Sequence, residues 1–255
     1  MIVTWWGHST VTTETGGTRL LFDPVLLDSV GHLRRRRGPT PGAEARVADA
    51  VVISHLHADH CHLPSLRLLP HATRVIGPAG LAALLTRSRG TTSLRCQEIV
   101  AGDEVVVGEL TIRGLAASHD DRRSPVSRHR AAPLSFLVRN GRGQSLWFGG
   151  DTGLHDGIAQ VAPVDVALVP IGGWGPGLGP GHLDAHRAAE AVAMLRADLA
   201  IPIHWGTLWP RGLTGVAGDQ FLGLETRFAA RCREVAPHTT VRILAPGEGV
   251  DTEAG

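Results

Sequence analysis

The stretch Ser54-His55-Leu56-His57-Ala58-Asp59-His60 holds three imidazoles and a carboxylate directly after the apolar run 50–53. In an extended segment side chains alternate between two faces, so His55 and His57 project to the same side and can chelate one ion. Asp59 and His60 follow once the chain has turned, and they must point elsewhere. Imidazole and carboxylate ligands suit zinc and also admit iron or manganese. The spacing therefore predicts a binuclear metal centre.

The composition is that of an ordinary soluble globular protein. The chain has 255 residues, of which 43% are hydrophobic and 19% charged, and this is enough to bury a full core. No Ser/Gly linker or change of composition divides it, so we expect one domain over residues 1–255. Because the chain holds 14 His, the alternative interpretation of the cluster is a His-rich surface loop.

Charge and cysteine content exclude several classes of function. The formal net charge of +1 gives no global attraction to nucleic acid or anionic lipid. Every basic residue is Arg, and the absence of Lys excludes a lysine nucleophile or a Schiff base. Three distant Cys do not make a disulfide framework, and no apolar run is long enough to span a bilayer. We expect a cytoplasmic protein with no membrane span and no nucleic-acid partner.

Further candidate ligands recur where predicted strands end. They are His119 after the strand 110–115, Asp151 after the strand 145–148 and His204 after the strand 199–203. Sites in α/β architectures assemble at strand ends, because loops there can vary while the sheet fixes their origins. Any one of these residues alone is better interpreted as an ordinary polar loop residue. Together with the cluster 55–60 they indicate one site.

The remaining segments carry open alternatives. His8 and Asp23 end short β-rich runs near the amino terminus, either as site partners or as structural caps. Cys61 is either a ligand or, as we favour, a small filler beside the site. Segment 26–46 is predicted to be a mobile loop, and its run Arg34-Arg35-Arg36-Arg37 is either a solvated face or an anion-binding lid. Helices are predicted over 63–69, 77–86, 185–196 (capped by Asp184) and 220–235, and a frayed tail over 251–255.

Several motifs belong together. They are the cluster 55–60, His119, Gly150-Asp151-Thr152 and Ile203-His204-Trp205-Gly206. With them the sequence resembles the metallo-β-lactamase superfamily, from Val3 to about Trp209. Three further segments point to the branch that includes ascorbate-6-phosphate lactonase and N-acylphosphatidylethanolamine-hydrolysing phospholipase D: Trp6-Gly7-His8-Ser9-Thr10, Phe22-Asp23-Pro24 and Gly181-His182-Leu183-Asp184. The resemblance implies an α/β (α+β) fold, a four-layer αββα sandwich with both metals at one edge of the two sheets.

The resemblance also implies a role for each residue of the site. Two divalent ions are expected, Zn²⁺ first and Mn²⁺ or Fe as alternatives. One ion would be held by His55, His57 and His119, the other by Asp59, His60 and His204, with Asp151 bridging them. Orientation of these ligands would fall to His8, Asp23 and Thr152, and proton donation to the leaving group would fall to His182. Apart from the resemblance, we expect Trp174 and Trp205, in loops near the metals, to line the substrate pocket, and Arg35 and Arg36 to meet an anionic substrate there.

Every ligand position is filled, and this favours an enzyme. Bound metal lowers the pKa of water toward neutrality and polarises a carbonyl or phosphoryl oxygen. We therefore expect a hydrolase that uses a metal-bound hydroxide, oriented by Asp59, on a phosphodiester, a phosphate-bearing lactone or a related ester. The expected substrate is an anionic small molecule. The alternatives are a di-iron redox protein on the same fold and a non-catalytic metal-binding scaffold.

Overall fold

The computed structural model describes residues 1–174, 178–212 and 222–253. Its strands are β1 (Ile2–Gly7), β2 (Thr10–Thr15), β3 (Thr18–Phe22), β4 (Ser29–Val30), β5 (Leu33–Arg35), β6 (Ala50–Val52), β7 (Arg74–Pro78), β8 (Arg95–Ile99), β9 (Glu104–Val107), β10 (Leu110–Ala116), β11 (Leu134–Arg139), β12 (Ser145–Phe148), β13 (Val166–Pro170), β14 (Leu199–Ile203), β15 (Leu208–Pro210), β16 (Thr240–Val241) and β17 (Glu248–Asp251). Its α-helices are α1 (Leu63–Leu66), α2 (Leu81–Arg87), α3 (Ala185–Leu195) and α4 (Leu224–Val235), with short 3-10 helices at Ala43–Arg46 and Asp156–Val161.

Two seven-stranded sheets form the centre of the molecule. The first has the strand order β17-β1-β2-β3-β6-β7-β8, and the second β16-β14-β13-β12-β11-β10-β9. A three-stranded sheet, β15-β5-β4, lies beside them. Both large sheets mix parallel and antiparallel pairs, so the predicted α/β (α+β) class is confirmed.

Alternating side chains explain how the layers form. In β6, Ala50 and Val52 join the core between the sheets, whereas Val51 and the following Ile53 pack with α1 and α2. Because both faces of the strand are covered, its sequence is apolar throughout. Helices α3 and α4 supply apolar residues to the core of the second sheet. The result is the predicted four-layer αββα sandwich.

One core draws on both large sheets. Phe22 of the first sheet stacks on Phe148 of the second with ring centroids 4.6 Å apart, and both rings are fully buried. Trp5 and Phe136 belong to the same cluster. Since the sheets share this core, we propose that the chain forms a single domain.

Strand direction brings the predicted ligands to one edge. Strands β12, β13 and β14 are parallel. Strand β10 is antiparallel to β11, which is antiparallel to β12, so β10 runs in the same direction as β12. The carboxyl ends of β10, β12 and β14, which precede His119, Asp151 and His204, therefore meet at the same edge.

Segment 26–46 differs from its prediction as a mobile loop. It contains β4 and β5, and β5 pairs with β15 so that Arg35 lies opposite Leu208. Leu33 and Leu208 pack with Val25 and Val30 in a small apolar cluster. The alternation of Leu33 and Arg35 toward this cluster was hidden in a run dominated by arginine.

The tail prediction is wrong for Asp251, because Glu248–Asp251 pairs with β1 and places Asp251 opposite Ile2. Residues 254–255 lie outside the described part of the chain. The last helix begins at Leu224, and Gln220, where it was predicted to begin, is also outside the described residues. The predicted cap of α3 is confirmed, since Asp184 accepts from two backbone N–H groups of the first turn. No helix within the described ranges is both long and apolar enough to cross a membrane.

Candidate metal centre

The segment after β6 turns sharply at its histidines. The backbone N–H groups of His60 and Cys61 both donate to the carbonyl of His57, at 3.1 and 2.8 Å. Before the turn, the rings of His55 and His57 meet edge to face with centroids 4.6 Å apart. The turn changes the direction of the chain before Asp59 and His60, but the His60 ring still lies 4.1 Å from that of His55, so the separation expected from the spacing is only partial.

Asp151 lies between the imidazoles. Its Oδ1 is 3.2 Å from His204 Nε2, and its Oδ2 is 3.3 Å from His60 Nε2. The same Oδ2 lies 3.9 Å from His119 Nε2 and 4.0 Å from His55 Nε2. One carboxylate therefore faces imidazoles on both sides, which is the arrangement that a bridging ligand requires.

Two groups of side chains can each hold an ion, since the ligand atoms of each group lie within 4.8 Å of one another. The groups are His55, His57, His119 and Asp151, and His8, Asp59, His60 and His204. They coincide with the two sets that the resemblance implies, with Asp151 placed in the first and His8 added to the second. A third group, Asp23, His55 and His60, overlaps both.

Backbone carbonyls fix the orientation of two rings. His204 Nδ1–H donates to the Gly172 carbonyl and His119 Nδ1–H donates to the Gly181 carbonyl, both at 2.8 Å. A carbonyl can only accept, so each contact selects the tautomer whose lone pair is on Nε2. Both lone pairs then face the interior of the site.

A buried chain of hydrogen bonds through Asp23 and Ser54 orients two further rings, those of His60 and His55. His60 Nδ1 lies 2.7 Å from Asp23 Oδ2, and the Ser54 hydroxyl lies 2.5 Å from the same oxygen. Ser54 Oγ is also 2.9 Å from His55 Nδ1. Because an ionised carboxylate only accepts, His60 and Ser54 donate to Asp23, and Ser54 then accepts from His55.

This donor set fits a metal ion. The inward Nε2 of His55 is buried and has no hydrogen-bond partner within the described part of the chain. His60 Nε2 and His204 Nε2 face each other at 3.1 Å, and His119 Nε2 faces His57 Nδ1 at 3.0 Å. Buried polar groups normally have hydrogen-bond partners. Ring nitrogens that face one another, and a buried nitrogen without a partner, are therefore expected where a cation binds between them.

The electrostatics favour the ionised form of Asp59 and Asp151 and the neutral form of His8 and His119, whereas His60 attracts a proton. Burial alone would raise the pKa of Asp59 and Asp151, but the surrounding imidazoles outweigh it and hold both pKa values well below the usual range. Burial lowers the pKa of His8 to about 3 and that of His119 to about 4. Burial opposes charge on His60 as well, yet the carboxylates of Asp151, Asp59 and Asp23 raise the pKa of that ring well above the usual range. The carboxylates thus stay ionised and draw positive charge to the centre.

Local backbone geometry explains the residue choice at the strand ends. Gly150, in the turn that carries Asp151, has φ +58°, and a Cβ there would lie 2.6 Å from the Cβ of Ser54. Only glycine allows the two loops to approach so closely. His8, Asp23 and His204 also have positive φ, at 53°, 39° and 60°. Non-glycine residues in this region store strain and cluster at functional sites.

His8 and Thr152, two of the residues predicted to orient ligands, differ in how directly they contact the site. His8 Nε2 lies 2.9 Å from Asp59 Oδ2, and Trp174 Nε1–H donates to the same oxygen at 3.0 Å. Among the described residues, the Thr152 hydroxyl makes no hydrogen bond to a candidate ligand side chain; it accepts from the Ser118 N–H at 3.0 Å. Thr152 therefore holds the backbone just before His119.

His182 borders the open side of the centre. Its Nε2 is 3.5 Å from Asp151 Oδ2, its ring meets His119 edge to face at 4.7 Å, and its side chain is 28% exposed. A cavity of about 370 Å³ is lined by His182 with residues 118–120 and 179–181. This cavity lies beside His182, the histidine that borders Asp151.

Two predicted pocket residues are corrected by the structure. Trp205 is 1% exposed, stacks on Trp5 at 5.5 Å and donates to the Pro202 carbonyl, so it belongs to the core. The Arg35 guanidinium points inward and donates to the carbonyls of Trp6 and Val25, at 3.0 and 3.2 Å. Side chains alternate along β5, so Arg35 points to the same side as Leu33, toward the apolar cluster, and Arg34 points away from it.

Arg36, the other predicted pocket arginine, lies on the outer face of the small sheet. Its guanidinium stacks over the Trp209 ring at 4.0 Å. A second cavity, of about 610 Å³, is lined there by Arg34, Arg36 and Trp209 among others, separate from the residues that line the cavity at His182.

Ser54 carries no prediction from the sequence, although its hydroxyl links two of the rings. Its position directly before His55 was a usable signal, since short polar side chains at strand ends often bind neighbouring polar groups. Arg123 was also missed. Its guanidinium donates to the carbonyls of Leu56 and Cys61, on either side of the ligand turn.

Comparison with known sequences gives one family. The family model described as Beta-lactamase superfamily domain matches residues 18–205. A protein of Myxococcus xanthus (strain DK1622) named metal-dependent hydrolase is 30% identical over 227 residues, which are 84% of this chain and 75% of that protein. N-acyl-phosphatidylethanolamine-hydrolyzing phospholipase D 1 of Caenorhabditis elegans is 29% identical over 238 residues, which are 84% of this chain and 66% of that protein.

Solved structures share the fold. Igni18, a metallo hydrolase from Ignicoccus hospitalis, superposes with a TM-score of 0.72 at 22% identity, covering 98% of this chain and 97% of that one. CmlA, a diiron β-hydroxylase from Streptomyces venezuelae, gives a TM-score of 0.69 at 21% identity, covering 98% of this chain and 53% of that one. At these identities the likeness shows the fold alone. Because the family model matches residues 18–205, which are most of the chain, the chain belongs to the beta-lactamase superfamily, as its motifs predict.

Proposed function

We propose that this chain is a binuclear metal-dependent hydrolase that cleaves a phosphodiester, lactone or related ester bond of a small molecule. The observation that carries the proposal is the convergence of ring nitrogens on the carboxylate of Asp151, with the outer nitrogens of His119 and His204 already bound to backbone carbonyls. Metal-dependent hydrolase is also the name of a relative of this chain, and the fold is that of solved metallo hydrolases.

The proposed ligands are the two sets given above. His55, His57 and His119 would hold one ion, Asp59, His60 and His204 the other, and Asp151 would bridge them. Imidazole and carboxylate donors suit Zn²⁺, with Mn²⁺ and iron as alternatives. Divalent ions held here supply a Lewis acid that polarises a carbonyl or phosphoryl oxygen and lowers the pKa of bound water.

The side chains around the ions would orient and protonate. Asp59 Oδ2 is held between His8 and Trp174, so the direction of this carboxylate is fixed and it can orient an attacking water. His182 lies at the open side of the centre, beside Asp151, and can hand a proton to the leaving group. Both tasks need a side chain held in place before substrate arrives, and the contacts of Asp59 supply this.

The substrate would enter the cavity beside His182. Its described lining includes the carboxylate of Asp120 and no arginine, so the anionic substrate expected from the Arg run has no support at this wall. An activity panel must therefore contain matched anionic and neutral substrates. We also propose a cytoplasmic enzyme, on the ground that Cys61, Cys96 and Cys232 are all free.

Metal analysis combined with a generic activity panel tests the proposal. Purified protein should carry close to two transition-metal ions per chain, hydrolyse a nitrophenyl phosphodiester, ester or lactone, and lose this activity with a chelator. A fully active, metal-free protein would contradict the proposal. Two bound irons with oxygen-dependent turnover would favour the di-iron alternative, and bound metal without turnover would favour a scaffold.

A further inference from the structure

We propose that Arg123 is a positioning residue that holds the ligand turn in shape from outside the metal centre, an inference that rests on the proposed function. One nitrogen of its guanidinium, Nη1, donates to the carbonyl of Leu56 at 2.5 Å and to the carbonyl of Cys61 at 3.3 Å. Leu56 and Cys61 stand immediately before and after the segment 57–60. A single guanidinium therefore joins the two ends of the ligand turn.

These carbonyls depend on Arg123. The turn itself uses only the His57 carbonyl, which accepts from His60 and Cys61. Within the described part of the chain no backbone N–H donates to the carbonyl of Leu56 or Cys61. Both residues are buried, so removal of the guanidinium would leave two desolvated carbonyls without a partner. The turn would have to open to hydrate them.

The arginine is presented by a folded segment. Arg123 N–H donates to the His129 carbonyl at 3.1 Å, and Ala131 N–H donates to the Asp121 carbonyl at 2.8 Å. The segment is thus closed on itself as a short ladder, which a bridge between Arg122 and Arg130 completes. Ala131 is buried in the cluster that α1 and α2 form with the first sheet. This base fixes the direction of the guanidinium.

The consequence reaches both proposed ions. The turn separates His57, which belongs to one ligand set, from Asp59 and His60, which belong to the other. Opening the turn therefore changes the spacing between the two sets. Residues that orient metal ligands without touching the metal typically change affinity by about 10- to 100-fold when they are replaced. Arg123 should act on metal affinity in this range although its hydrogen bonds within the described part of the chain reach none of the seven proposed ligand side chains.

The experiment compares three full-length variants with the wild-type protein. Zn²⁺ affinity is measured in competition with a chromophoric chelator, and backbone protection of residues 55–61 by hydrogen exchange. Arg123→Gln should weaken Zn²⁺ binding by about 10- to 100-fold and lower protection in this segment. Arg123→Lys keeps the charge and one donor, so it should recover part of the affinity. Arg128→Gln, an exposed arginine of the same segment, is the matched control and should bind as the wild type does.

The inference is overturned if Arg123→Gln binds Zn²⁺ within twofold of Arg128→Gln. Should Arg123→Gln fail to fold, Arg123→Lys decides: affinity below that of the wild type supports the inference, and equal affinity overturns it. Failure of the proposed function looks different. In that case the wild-type protein itself lacks bound metal or hydrolytic turnover, whereas the inference about Arg123 fails when the wild type binds Zn²⁺ and the variants bind it equally well.

Discussion

Replacing Asp23 by Asn tests how strictly one buried carboxylate holds the metal ligands. Asp23 is fully buried. Its Oδ1 accepts from the Ser54 backbone N–H at 2.8 Å, and its Oδ2 accepts from the Ser54 hydroxyl at 2.5 Å and from His60 Nδ1–H at 2.7 Å. An asparagine has only one accepting oxygen. At least one of these three donors must then face the amide NH₂ group.

The magnitude follows from the less costly orientation of the amide. With its nitrogen opposite the Ser54 backbone N–H, the Asn side chain keeps its oxygen for the hydroxyl and for His60. One unsatisfied buried donor costs about 1–3 kcal/mol, and each of the two remaining bonds loses roughly 1 kcal/mol with its ionised acceptor. Burial of a neutral amide instead of a charge offsets part of this. We expect a net loss of about 2–4 kcal/mol, out of a total of about 5–15 kcal/mol for a typical native protein.

Two measurements check this prediction: urea unfolding of the metal-free protein and Zn²⁺ affinity at fixed pH. Affinity should fall by about 10- to 100-fold, because His60 and, through Ser54, His55 lose the partner that orients them. The control is Asp49→Asn, whose exposed carboxylate accepts from one backbone N–H and should change stability by no more than about 0.5 kcal/mol. If both variants match in unfolding free energy and in affinity, the argument from this chain of hydrogen bonds is refuted.

Other substitutions test single steps of the proposed chemistry. His55→Ala and His204→Ala should each remove metal, measured by elemental analysis, and abolish turnover; a near-normal rate with both ions bound would overturn the ligand sets. Asp59→Asn should keep the metal but lower kcat by roughly 10²-fold or more, and an unchanged kcat would remove its orienting role. A Cβ at Gly181 would lie 3.0 Å from His119 Nδ1, so Gly181→Ala should weaken Zn²⁺ binding by about 10-fold. Gly179→Ala, where nothing lies within 4 Å, should not, and equal affinities of the two would contradict the steric argument.

The edge that carries the metal centre could be predicted because its chemistry coincides with strand ends. Apolar runs of four to six residues with a His or Asp just beyond them mark both the strand and the side chain that it delivers. Strands β12 and β14 begin and end where the sequence predicts, and Asp151 and His204 follow them in the structure. Buried strands covered on both faces give the clearest pattern, since nearly every residue in them is apolar.

The small sheet and the placement of Arg35 and Trp205 could not be predicted, because contacts made only in the folded structure decide them. Strands of two or three residues give no measurable alternation, and a charged side chain is assigned to the surface by default. Arg35 breaks that default, because its guanidinium finds two carbonyls inside the protein. Trp205 was expected to line the substrate pocket because it directly follows His204. It lies instead in the core, stacked against Trp5. In both cases tertiary partners decide what the local sequence leaves open.

The orientation of the ligands depends on acceptors that no sequence pattern marks. His119 and His204 are fixed by the backbone carbonyls of Gly181 and Gly172, and any residue at these positions offers the same atom. What matters is the path of the loop, and glycine at 181 is needed because a side chain there would press on the ring that its own carbonyl orients. Gly181, whose carbonyl orients His119, also lines the cavity at His182, whereas Gly172, whose carbonyl orients His204, is not among the described residues that line it. On the proposed ligand assignment, a side chain added at Gly181 to reshape this cavity would also press on the ring of a metal ligand, so substrate fit and metal affinity are coupled at this one position.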